Sequence, residues 1–142
     1  EALPSLPKPF FPIGRLDKES EGLLLLTNDG HFYRQIAPPD AFKEKEYIVK
    51  VDKLLIDEAI QQLASGVIIM GQKTRAAEVF KVDNFTFRII LTQGLNRQIR
   101  RMCYKLGYEV VSLKRIRIMS IELGNLNPGE FYALDAATIL ER

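Results

Sequence analysis

Charged and β-forming residues alternate along residues 43–51, KEKEYIVKV, with the period of two expected of a β-strand. The period changes at LIDEAIQQLASG (55–66), which predicts a short amphipathic helix with Asp57 near its start and Gly66 just past its end. TRAAEVFKV and FTFRIILTQ, joined by Asp83 and Asn84, predict a hairpin. The clearest helix is NRQIRRMCYKLG (96–107), which Asn96 can cap and Gly107 can end. Ile99, Met102, Cys103 and Leu106 form its apolar face, and Arg97, Arg101 and Lys105 lie opposite, toward solvent. Arg100 falls on the border of the apolar stripe, where it can pair with a buried carboxylate or lay its stem along apolar surface with its head in water.

Toward the N-terminus, a Pro-rich extended start leads to GLLLLT (22–27), closed by the turn signal NDG. HFYRQIA then predicts one or two helical turns, ended by Pro38 and Pro39. After the basic helix, EVVSLKRIRIMSIEL (109–123) predicts one or two strands, followed by an NPGE turn, a short strand FYAL and a terminal helical piece. Strands outnumber helices and hairpin-length turns join most of them. The expected class is therefore α+β, with a mixed, mostly antiparallel sheet flanked by helices. No glycine-rich loop follows a strand, which argues against a βαβ nucleotide-binding fold.

The 142 residues have the size of one domain, and 46% hydrophobic content is enough for a core. No apolar run approaches the ~20 residues that span a bilayer, and no secretory leader is visible. A lone Cys103 excludes an internal disulfide and fits a reducing cytoplasm. With a lone His31 beside it, a zinc site of the usual His/Cys type cannot be assembled. The net charge of +2 is bland, but residues 97–117 gather seven Lys/Arg around a single acid, Glu109. Such a segment is either a solvated basic face or a site for a polyanion.

Asp17, in GRLD, is by itself a turn residue, a cap or a catalytic group. Tyr47 is by itself either a half-buried strand aromatic or a platform for a base. The three residue types Asp17, Tyr47 and Arg100 nevertheless complement one another. A nucleophilic carboxylate must be ionised, and an Arg in contact favours its charged form. A base drawn out of its stack needs an aromatic face in exchange. A third use of the carboxylate, glycoside hydrolysis, needs a flanking second carboxyl group. The acids local to Asp17 are only Glu19 and Glu21, in a charged loop.

GRLDKESEGLLLLTNDG, KEY, GLNRQIRRM and NPGEF together resemble the bacterial ribosomal RNA pseudouridine synthases of the RsuA/RluB/RluF branch, and most closely the RluF-type large-subunit members. The likeness runs in order from about residue 12 to residue 134. It implies a pseudouridine synthase catalytic fold with an RNA-binding cleft over residues 1–142, lacking the family's N-terminal S4-type domain and first core strand. The resemblance assigns Asp17 as the catalytic aspartate, Tyr47 as the residue stacking on the target uridine, and Arg100 as the partner of the carboxylate. It places Arg15 in the space left by the flipped nucleotide. Arg97, Arg101, Lys105, Lys114, Arg115 and Arg117 are the remaining RNA-contact candidates.

The activity implied is conversion of a uridine in ribosomal RNA, of the large subunit, to pseudouridine. It requires no metal and no cofactor, and is carried out by a cytoplasmic monomer. The competing expectations are a non-catalytic RNA-binding or ribosome-assembly module, and a synthase acting on small-subunit rRNA or tRNA.

Overall fold

The computed structural model describes residues 10–38 and 42–126, apart from residues 15 and 18, together with Glu130. Arg15, most of the NPGE turn, the FYAL strand and the terminal helical piece lie outside the described residues. In chain order the elements are β1 (Phe11–Ile13), β2 (Glu21–Gly22), β3 (Leu25–Thr27), α1 (Gly30–Ile36), β4 (Lys45–Val51), α2 (Asp57–Ser65), β5 (Ile68–Ile69), β6 (Gln72–Lys73), β7 (Glu78–Asp83), β8 (Thr86–Leu91), α3 (Gln98–Lys105), β9 (Val110–Ile118) and β10 (Ile121–Glu122).

The main sheet runs β10-β9-β4-β8-β7, all antiparallel, and β2 adds to β9 in parallel. It is the mixed, mostly antiparallel sheet that the pattern predicts. The KEKEYIVKV strand takes its centre because Val49 and Val51 face one side and are buried there. Against that side pack Ala59 and Leu63 of α2 and Ile99, Met102 and Cys103 of α3, giving the larger core. Each of the larger side chains among them, the valines, Leu63, Ile99 and Met102, contributes roughly 1.5–3 kcal/mol on burial. Within this core the Cys103 thiol is pushed up to about 12 by burial, against the opposing charge of Arg100. A smaller core joins Ile13, Leu25, Phe32 and Ile36 to Ile118 and Ile121.

Two details, at NDG and at the start of α3, differ from the sequence reading, and two others were not read from the sequence. The NDG segment is a helix cap rather than a simple turn, because the Asp29 carboxylate accepts from the backbone N–H groups of His31 and Phe32. GLLLLT does not run as one strand, since Leu23 N–H is taken by the Arg115 carbonyl and only Leu25–Thr27 pairs with β1. VIIMGQK folds into a small β5–β6 hairpin around Met70 and Gly71, both at positive φ. Finally, α3 starts at Gln98, and Asn96 does not cap it. Arg97 occupies the cap position in a left-handed conformation (φ 49), and the Asn96 side chain instead accepts from Arg101.

Candidate active site

Asp17 sits in the loop between β1 and β2, which is fixed at both ends. Its carbonyl accepts from Ser20 N–H at 2.9 Å, closing a turn. Gly22 then lies flat against β9, so close that a Cβ would fall 2.2 Å from the Arg115 carbonyl oxygen. Beyond it, Leu23 N–H donates to the Arg115 carbonyl and Arg115 Nε donates to the Leu23 carbonyl at 2.8 Å.

Two guanidinium groups converge on the carboxylate. Arg100 Nε lies 3.8 Å and Arg97 Nη1 3.7 Å from the same oxygen, Oδ2 of Asp17. Arg100 also donates through Nη2 to Ser20 Oγ at 3.0 Å, so it spans the turn that carries Asp17. Arg97, expected to face solvent, reaches the site because its left-handed backbone turns it out of the helical path. It also binds Glu19 at 3.1 Å, and that hydrogen bond holds the Glu19 carboxyl below the usual range.

The loop before α3 owes its shape to two buried glutamines that the sequence reading missed. Gln98 Oε1 accepts from Leu95 N–H, and Gln98 Nε2 donates to Gln93 Oε1. Both side chains are nearly inaccessible, so their amides act as fixed struts rather than solvated groups.

Asp17, Tyr47, Lys45, Arg97 and Arg115 line one cavity of about 340 Å³ between the two cores, together with Ser20, Gln93, Asn96, Gln98 and apolar side chains such as Ile36 and Leu113. That volume and its few convergent polar groups suit a small planar ligand or a single nucleoside. Lys45 and Tyr47 share a face because they are two apart on β4, and Tyr47 pairs across the sheet with Arg115. Lys45 was readable from KEKEY on the same spacing but was not singled out. Burial and the neighbouring Arg115 charge both lower its ammonium pKa.

The other basic candidates divide. Arg101 and Lys105 are exposed on the outer side of α3, beside a more open groove of about 450 Å³ that Arg97 and Arg100 also line. Lys114 is half exposed and 3.9 Å from Glu21. Arg115 points inward and is 4% exposed. Arg117 turns to the opposite face of the sheet, bonded to Glu46, Glu44 and the Met119 carbonyl. Among the described residues no helix is long and apolar enough to cross a membrane.

Residues 2–105 match the family model of the RNA pseudouridylate synthases. The chain is 51% identical over 124 residues to the dual-specificity RNA pseudouridine synthase RluF of Salmonella typhi, covering 87% of this chain and 43% of that protein. It is 34% identical over 132 residues to the ribosomal large subunit pseudouridine synthase B of Bacillus subtilis, covering 89% and 54%. The chain thus spans about half the length of these relatives. A crystal structure of a pseudouridylate synthase superposes with a TM-score of 0.85 at 30% identity, over 92% of this chain and 58% of that one. In sequence and in fold alike, this chain belongs to the RNA pseudouridylate synthase family.

Proposed function

We propose that the protein isomerises a uridine of ribosomal RNA to pseudouridine in the cavity that holds Asp17. The observation that carries this reading is the joint placement of Asp17, Arg97 and Tyr47 around a space of nucleoside size, with Arg100 beside the same carboxylate oxygen. Asp17 is the catalytic carboxylate. Arg100 and Arg97 favour its charged form, and the Tyr47 ring offers the face on which the displaced base rests. Substrate and product are isomers: the N1–C1′ bond breaks, the uracil turns, C5 bonds to C1′, and the C5 proton is made good at N1. An ionised Asp17 serves whether it attacks the sugar or the base, or removes the ribose 2′ proton.

Large-subunit rRNA is the favoured substrate on the RluF-type motifs; identity is 51% to the dual-specificity RNA pseudouridine synthase RluF and 34% to both the large-subunit synthase B of Bacillus subtilis and the small-subunit synthase A of Yersinia pestis. Arg101 and Lys105, beside the open groove, are placed to hold phosphates flanking the target, and Lys114 lies at the edge of the β2–β9 pair. Arg15 is assigned to the space the flipped nucleotide leaves. The protein works in the cytoplasm, where rRNA is assembled into ribosomes.

Mapping pseudouridine in rRNA from cells with the wild-type protein, with Asp17→Asn and with none tests this reading. The expected result is a site modified only by wild type, with Asp17→Asn still binding the RNA. Modification by Asp17→Asn at the wild-type rate removes the carboxylate from the chemistry. A wild type that binds but modifies no uridine makes the protein an RNA-binding module instead.

A further inference from the structure

The cavity holds more positive charge than its own acid can use. Asp17 is already approached by Arg97 and Arg100. Deeper in, Arg115 is 4% exposed; its Nε is spent on the Leu23 carbonyl, and its Nη2 is buried with no hydrogen-bond partner. Beside it Lys45 lines the same cavity, and its Nζ makes no side-chain hydrogen bond or ion pair among the described residues. The nearest acid on β4, Glu46, points to the other face and is taken by Arg88 and Arg117. The acid that lines this cavity, Asp17, is already shared by Arg97 and Arg100, so two further cations there are costly unless something anionic enters between them.

We propose that Lys45 and Arg115 form a cationic floor that stabilises the negative charge the uracil acquires when its bond to C1′ breaks. The assignment deepens the uridine-isomerising reading and rests on it. As the N1–C1′ bond cleaves, its electron pair goes to N1 and is delocalised onto O2 and O4. If the carboxylate instead adds to C6, the displaced pair gathers at O4. Every route therefore loads the carbonyl oxygens with charge, and donors already fixed in a site shielded from water stabilise that charge most. The free Nη2 of Arg115 and the Nζ of Lys45 are such donors, and they lie where Tyr47 borders the same space. Because Arg115 is buried, Lys45 is partly so, and apolar side chains such as Leu113 and Ile118 lie alongside them, the floor suits a flat base anion better than a hydrated phosphate. When C5 then bonds to C1′ and its proton passes to N1, the charge is discharged and the floor releases a neutral product.

Lys45 is the cleaner position to test, because Arg115 also clamps Leu23. Single-turnover rates and RNA affinity are measured for the protein as its own cells produce it, as wild type, Lys45→Met and Lys45→Arg. The substrates are rRNA fragments carrying uridine or 5-fluorouridine at the target, and cleavage of the N1–C1′ bond is followed. Lys45→Met is expected to slow cleavage at uridine on the order of 10²-fold with RNA affinity changed less than about twofold, and Lys45→Arg to recover much of the loss. Fluorine stabilises the departing anion, so the deficit of Lys45→Met must be smaller on the fluorinated substrate. Equal deficits on both substrates show a merely structural role and overturn the assignment. A loss confined to RNA affinity shows a phosphate site and also overturns it. A wild-type protein that forms no pseudouridine refutes the reading of the whole site, whereas an active wild type matched by Lys45→Met refutes the cationic floor alone.

Discussion

Arg100 holds Asp17 from two directions, with Nε 3.8 Å from the carboxylate Oδ2 and Nη2 donating to Ser20 at the far side of the same turn. The guanidinium thus supplies charge and also sets the turn that aims the carboxylate. A lysine can do only the first, because a single ammonium cannot reach both groups in a fixed fork.

Arg100→Lys is accordingly expected to lose an intermediate amount of activity and Arg100→Met on the order of 10²-fold or more. Single-turnover pseudouridine formation on an rRNA fragment measures both. Equal rates in Arg100→Lys and wild type would show that charge alone is needed and that the bond to Ser20 is dispensable.

Gly22→Ala tests the other anchor of the loop that carries Asp17. At φ +123, with the Arg115 backbone 2.2 Å from the Cβ position, an alanine cannot be seated without shifting β2 away from β9. Neither cluster of buried apolar residues includes Gly22, so the damage should fall on the loop. The expected outcome is a strong loss of turnover with a thermal midpoint lowered by only a few degrees. A midpoint drop of about 15 °C or more would mean that the β2–β9 contact supports the whole domain.

What the sequence disclosed follows from which features repeat. The apolar face of α3 and the alternation of β4 are periodic over two turns or more, so Ile99, Met102, Val49 and Val51 were legible as core. Arg100 was legible as a border residue for the same reason. Single-residue irregularities have no period and were not. Arg97 reaches Asp17 through one left-handed residue ahead of α3. Arg115 and Arg117, two apart on β9, face opposite sides because the register slips between them: Glu46 pairs with Arg117, Tyr47 with Arg115, and Ile116 is left over. Without that bulge both arginines would share a face, and the grouping of all basic residues as one RNA surface would have been reasonable.

Glu46, on the outer face, gives the protein an acid-sensitive element. Burial pushes its carboxyl up, but hydrogen bonds from Arg117 Nε and Arg88 Nη1, both 2.6 Å, more than reverse this and hold it below its ordinary value of 4.5. A depressed folded-state value means the contribution is complete above the unfolded value and is lost as pH falls through the folded one. Urea unfolding should therefore show stability declining from about pH 5 downward, and Glu46→Gln should flatten that decline. At neutral pH Glu46→Gln should cost about 2 kcal/mol, less than a fully buried pair because Arg88 is one-third exposed. A pH profile identical to wild type would place the acid sensitivity elsewhere.

Arg101 and Arg117 should part company when RNA binding is measured against salt. Arg101 is exposed, and its guanidinium is held toward the open groove by Asn96 through bonds of 3.0 and 3.1 Å. A phosphate contact there releases about one counterion, so Arg101→Gln should reduce the slope of log K against log salt by about 1. Arg117 differs because its charge is already matched by two carboxylates: Nε donates to Glu46 and Nη2 to Glu44, while Nη1 donates to the Met119 carbonyl. Arg117→Gln should leave the slope unchanged and instead lower the urea midpoint, because Glu46 then keeps Arg88 as its one strong partner. Titrations of a labelled rRNA fragment at several salt concentrations, paired with urea melts, separate the two effects. A slope lowered by Arg117→Gln but not by Arg101→Gln would move the RNA path from the α3 groove to the outer face of the sheet.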